Sequence, residues 1–185
     1  MELRESIIEG TIKVFNKKGL KFTMDDLAKE LGMSKKTIYT VFADKEELFF
    51  AMVEWIFDSI KEEEKRVLED NTLPTVQKLK ALLGVLPEGY KEVDFRQLYS
   101  LKDKYPKIYK QVEIRLETGW EATLELMQLG IAEGALRPVS LPLFKMMMEA
   151  ALEQFFQRDI LIQSDMSYGE ALEEVVNILM DGITV

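Results

Sequence analysis

The densest chemistry in this sequence is basic and hydroxylic. Within Ser34-Lys35-Lys36-Thr37-Ile38-Tyr39-Thr40, two ammonium groups, three aliphatic hydroxyls and a phenol fall inside seven residues. Such groups suit phosphate oxygens and base edges, which take cations and hydrogen-bond donors from a protein. The side chains of most other chemistries are missing. The chain holds no His and no Cys, which removes Ser-His-Asp triads, Cys nucleophiles and the common zinc sites. Two carboxylates could still serve as acid and base, but no paired acids stand on an apolar face. No enzyme, cofactor or metal site is expected.

The net charge of −9 opposes a polyanionic partner until it is divided along the chain. Residues 1–46 carry nine Lys/Arg against eight Asp/Glu, or +1, and the remainder carries −10. Within residues 17–45 the balance is seven basic to four acidic. The acidity of the later part would keep that part off nucleic acid.

Helices must position these groups, since the apolar periodicity is helical nearly throughout and no alternating strand is seen. Ile8, Ile12 and Phe15 stripe a first helix that stops at Gly19. Thr23 and Asp26 make a capping box for a second, with Leu27 and Leu31 inward. Gly32-Met33 forms a turn, and Ser34 caps a third helix running to about Phe42. Asp44 caps a long fourth helix, Lys45 to about Glu69, whose inner face is Leu48, Met52, Ile56 and Ile60. Further helices are expected from Pro74 to Pro87, over Val93–Lys104, Ile108–Ala132, Leu141–Leu161 and Tyr168–Asp181. The reading is an all-α protein of about nine helices. Its domains would be a helix-turn-helix head at 1–46, with the motif at about 23–42, and a helical domain at 47–185.

In the third helix Ile38 and Phe42 can dock on the core, leaving Lys35, Lys36, Thr37, Tyr39 and Thr40 outward. A major groove admits one helix with such a face. Spacing alone leaves blander roles open: Ser34 and Thr23 as caps, the lysines as solvated charges, Tyr39 as a half-buried aromatic.

The run Phe22-Thr23-Met24-Asp25-Asp26-Leu27-Ala28-Lys29-Glu30-Leu31-Gly32-Met33-Ser34, continued by Lys35-Lys36-Thr37-Ile38-Tyr39-Thr40-Val41-Phe42-Ala43-Asp44-Lys45-Glu46-Glu47-Leu48, resembles the signature of TetR-type transcriptional regulators. Together with the upstream helix, the resemblance covers about residues 3–57. It implies that Thr23 bonds a phosphate and that Tyr39 and Lys45 contact the DNA backbone. It places Lys36, Thr37 and Thr40 near base edges. Val41 departs from the family pattern, where His or another aromatic often precedes the Phe.

The later residues resemble no one subfamily, although Gly130–Pro138 is similar to the family's connection before its last two helices. In Leu141–Leu161 a single polar stripe, Lys145, Glu149, Glu153 and Gln157, leaves most of the circumference apolar. A helix of that kind needs cover on more than one side. The family's dimer is a four-helix bundle of the last two helices of each chain. Phe144, Met148, Ala151, Phe155, Leu172, Val176 and Leu179 are accordingly expected at a homodimer interface. A ligand cavity is expected among Trp55, Phe95, Tyr99, Tyr109, Trp120, Thr123, Met127 and Met147, favouring an apolar or aromatic effector.

The expected function is a ligand-responsive repressor binding a near-palindromic double-stranded operator as a homodimer. The alternative is a helical small-molecule carrier or scavenger without operator binding. No apolar run reaches the ~18 residues of a bilayer span and the N-terminus lacks an apolar signal core. A cytoplasmic protein with no membrane partner is therefore expected.

Overall fold

The first helix, α1 (Leu3–Lys18), buries Ile8, Ile12 and Phe15 as their spacing requires. It ends at Gly19, whose φ of 55° lies where a side chain would be strained. This is a computed structural model, and it describes residues 2–90, 94–157 and 160–185. A 3-10 turn (Gly19–Lys21) leads to α2 (Met24–Leu31) and α3 (Lys35–Tyr39). Then come α4 (Lys45–Glu69), α5 (Thr75–Leu83), α6 (Arg96–Tyr99), α7 (Leu101–Lys104) and α8 (Pro106–Glu117). The chain continues as α9 (Glu121–Ala132), α10 (Leu141–Gln157), α11 (Ile160–Gln163) and α12 (Tyr168–Asp181). Among the described residues there is no strand, only an isolated bridge between Leu136 and Thr184.

Three expected helices are interrupted. The segment expected over Ile108–Ala132 splits into α8 and α9 at Gly119, which adopts a left-handed φ of 79°. The Thr118 hydroxyl turns back to the carbonyl of Ile114, and the Trp120 indole N–H donates to Leu116 at 3.0 Å. The apolar rhythm runs across this break undisturbed, so periodicity alone reads through it. The segment expected over Val93–Lys104 divides at Ser100 into α6 and α7, with Val93 outside the described residues. The Leu141–Leu161 segment falls into α10 and α11 on either side of residues 158–159, which are likewise not described.

One compact unit comprises Met1–Asp58 with Asp94–Glu113. Thus more than residues 1–46 packs with the head. The Tyr105 and Phe49 rings meet edge-on at 5.2 Å between centroids, and the Asp94 amide donates to Asn16 Oδ1 at 2.6 Å. The core of this unit includes Ile7, Phe22, Leu27, Ile38, Phe42 and Phe49, all essentially inaccessible. The second unit comprises Ser59–Val93 with Ile114–Val185. Its core joins Leu79 and Leu83 of α5 to Met127, Phe144, Met148, Leu172, Val176 and Met180. The loop after α9 is fixed by the C-terminal tail, where the Arg137 amide donates to Ile183 at 2.9 Å.

That core corrects part of the expected interface. Phe144, Met148, Phe155, Leu172 and Val176 are already buried inside one chain, while Ala151 and Leu179 are half-buried. The apolar side chains that remain outside are Leu143, Met146 and Met147 of α10, 46–54% exposed, and Ile178 of α12, 62% exposed. The helix is apolar widely enough for two faces. Packing against its neighbours decides which face turns inward, and a single sequence does not display that choice.

Candidate nucleic-acid interface

Between Thr23 and Phe42 the local chemistry dictates two helices and a sharp turn. The Thr23 hydroxyl accepts from the Asp26 amide at 3.2 Å, and the Asp26 carboxylate accepts from the Thr23 amide at 2.8 Å. This reciprocal box satisfies two amides that the first turn of α2 would leave unpaired. Lys18 donates to the same carboxylate at 2.7 Å. The Lys18 ammonium, helped by the Thr23 amide and hydroxyl, holds Asp26 down to a pKa of about 2. Gly32 closes α2 in the left-handed region, φ 63°, with the Met33 amide donating back to Ala28 at 3.0 Å. Ser34 then caps α3 by accepting from the Thr37 amide at 3.1 Å.

Helix α3 is shorter than expected, ending at Tyr39 rather than near Phe42. Thr40 becomes its C-terminal cap, its hydroxyl donating to the Thr37 carbonyl at 2.6 Å. Ile38 and Phe42 still point into the core and are fully buried. Lys35, Lys36, Tyr39 and Thr40 lie outside, with Thr37 half-buried between them. Tyr39 is 48% exposed, a large aromatic left in water on the same short helix as the exposed Lys36. The outward set is the one expected from the sequence.

Two relationships depend on contacts that spacing does not reveal. Lys35 is paired with Asp25 at 3.0 Å, tying the start of α3 to α2. Lys45 does not stand free at the start of α4. Its ammonium donates to the carbonyls of Leu20, at 2.9 Å, and Phe22, and lies 4.0 Å from the centroid of the Phe22 ring. Burial there pushes its pKa below the usual lysine value, nearby Lys104 pushes the same way, and Asp26 opposes both. Two of its three N–H donors are thereby used within the head. The packing of α1 on α2 has its own requirement at Gly10. A Cβ at that position would come within 2.4 Å of the Leu31 side chain.

The eight residues expected to line an effector cavity fall in both units. Trp55, Phe95, Tyr99 and Tyr109 belong to the first, where Tyr99 and Tyr109 meet edge-on at 5.5 Å. Trp120, Thr123, Met127 and Met147 belong to the second. Met127 is sealed in the core, and Met147 sits on the exposed face of α10. A cleft of about 1020 Å³ in the second unit is lined by α4, α5, the 84–88 connection and α12, and by none of these eight.

The comparisons with known proteins point in one direction. Residues 7–52 match the profile of bacterial regulatory proteins of the tetR family. The chain is 29% identical over 178 residues, 96% of its length and 94% of the relative's, to the uncharacterized HTH-type transcriptional regulator YvaF of Bacillus subtilis. Among solved structures, a TetR transcription regulator from Haloarcula marismortui superposes with a TM-score of 0.74 at 17% identity, covering 98% of both chains. AibR, solved in complex with isovaleryl coenzyme A and operator DNA, gives a TM-score of 0.63 at 15% identity, covering 97% of this chain and 98% of its own.

Proposed function

Because the chain belongs to the TetR family of DNA-binding transcriptional regulators, we propose that it is a ligand-responsive repressor that binds a near-palindromic operator as a homodimer. The observation that carries the reading is the division of α3. Ile38 and Phe42 are buried, while Lys36, Tyr39 and Thr40 face water with no apolar role to occupy them. A helix so divided can lie in the major groove, with Lys36, Thr37 and Thr40 near base edges. Thr23, Ser34, Lys35 and Tyr39 stand where they can hold phosphates on either side. Lys45 reaches the backbone only through its third N–H, so its first role is to brace the turn that presents Thr23.

Homodimerisation is supported by the exposed apolar stripe of α10, where Leu143, Met146, Met147 and Ala150 repeat at helical spacing. Two identical stripes can cover one another in a two-fold contact. Such a dimer presents α3 twice, and two-fold symmetry in the protein asks for it in the operator. A small-molecule effector acting through the second unit is supported by analogy with AibR, whose structure holds both an acyl coenzyme A and operator DNA. The effector works only if its affinity differs between DNA-bound and free arrangements.

The reading is tested by gel shift and filter binding on the DNA upstream of the protein's own gene. With several phosphate contacts per subunit, affinity falls about 10³-fold or more between about 50 and about 200 mM salt. A salt-independent response, or no shift on any upstream duplex, removes the DNA reading and leaves a helical carrier.

A further inference from the structure

The second unit contains the cleft of about 1020 Å³ described above, at the upper end of the ~300–1,000 Å³ usual for small-molecule sites. Five charged side chains line it: Glu63, Glu88, Glu170 and Glu173 against a single Lys80. That one cation is committed, since Lys80 Nζ lies 2.6 Å from Asp181 Oδ1. Glu63 is paired with Arg66 on an exposed surface, where a pair has little energy and quenches little of the field. Glu173 has no hydrogen-bond or ion-pair partner among the described residues. It stands one turn along α12 from Glu170, opposite an apolar wall that includes Val85 and Leu86.

The amides at the start of α12 would by themselves invite an anion. That place is already filled within the chain. The Ser167 amide donates to Glu170 at 2.8 Å, and the Ser167 hydroxyl accepts from the Glu170 amide at 3.2 Å. An incoming anion would meet four carboxylates and, among the described residues of the lining, no available ammonium. An uncharged apolar ligand would leave Glu173 facing it without a partner, at a desolvation cost. The complementary occupant has an apolar body for the wall and a positive head for Glu173.

We propose that this cleft is a binding site for an amphipathic organic cation, an alkyl or aryl chain carrying an ammonium group. The proposal rests on the effector reading only in taking the second unit as the seat of small-molecule binding. The site is separate from the aromatic residues expected from the sequence.

The test is calorimetric titration of the full-length protein with decyltrimethylammonium, decyl sulfate and decanol, each below micelle formation. The ammonium compound binds saturably at one per chain, about tenfold or more tighter than decanol, and the sulfate does not bind. Glu173→Lys weakens the ammonium by about tenfold or more, equivalent to about 1.4 kcal/mol. Ala81→Trp, which fills the cleft from an exposed position of α5, abolishes binding. Both variants keep the wild-type Tm. Absence of saturable ammonium binding, equal binding of the sulfate, or indifference to both substitutions overturns the proposal. Gel shift in the presence of the ammonium compound reads a separate question. If the cleft binds it and DNA affinity is unmoved, the site stands and its role as the effector site fails.

Discussion

Lys45 and Phe22 are joined twice: the ammonium lies 4.0 Å from the ring centroid and donates to the carbonyl of the same residue. The pair closes the turn before α2 and so fixes where Thr23 and the capping box begin. Replacing Lys45 with Met keeps much of the apolar stem but leaves the carbonyls of Leu20 and Phe22 without their donor. The expected loss is about 1–2 kcal/mol of stability, read by urea denaturation. Weaker binding to cognate and random duplexes by a similar factor should accompany it, because the change moves a backbone-holding element and reads no base. A discriminating loss, confined to cognate DNA, would contradict this role.

Asp26 makes the head sensitive to acid. Its folded pKa is about 2 against an ordinary 3.8, so the folded state favours the carboxylate. The contribution is complete above about pH 4 and is lost as pH falls toward about 2, where the box and the Lys18 pair are protonated away. Asp26→Asn should flatten this acid limb while lowering stability at neutral pH. Exchange protection of the Asp26 amide, followed from about pH 5 downward, is the local measurement.

Thr40 and Lys36 separate sequence reading from affinity. The Thr40 hydroxyl proton is committed to the Thr37 carbonyl, which leaves oxygen lone pairs and a methyl group facing outward. Such a group suits a base amino group or a thymine methyl. Thr40→Ala should cost about 1–3 kcal/mol on the cognate operator and little on scrambled DNA. Lys36→Ala should weaken both duplexes and lower the salt slope by about one for each phosphate it no longer holds. Equal losses on both duplexes for Thr40→Ala would show that α3 meets the groove in another orientation.

The dimer is probed by two substitutions on α10 with opposite expected outcomes. Met146→Glu places a charge on the exposed stripe and should give a folded monomer by light scattering at micromolar concentration. Phe155→Glu places it in the interior of a single chain and should unfold the second unit, at a cost above about 3 kcal/mol. A wild-type protein that is a monomer under the same conditions removes the dimer.

The head was legible because its signals are local. Thr23 with Asp26, Gly32, and Ser34 each fix a few neighbouring residues, and the structure uses each as its type requires. Ile38 and Phe42 turned inward because only that face of a short helix can meet the core. The second half is specified by packing between distant segments. Nothing near Gly119 in the apolar pattern announces a break, and nothing in α10 says that Phe144 rather than Met146 faces the core. Lys45 is a related case, since its carbonyl partners lie 23 and 25 residues earlier in the chain. The aromatic residues were read as cavity lining from type alone, whereas the cleft is drawn by Glu, Val and Gly at the ends of helices.

Three lysines of the head enter any encounter already matched: Lys17 with Glu30 at 3.3 Å, Lys18 with Asp26 at 2.7 Å and Lys35 with Asp25 at 3.0 Å. A lysine that reaches a phosphate from such a pair exchanges one anion for another, and the abandoned carboxylate then faces the duplex. Fewer counterions are released per contact than a count of lysines suggests, so adhesion to arbitrary DNA is faint. In a genome crowded with wrong sites, that restraint shortens each false stop and leaves more of the protein free to find its own promoter.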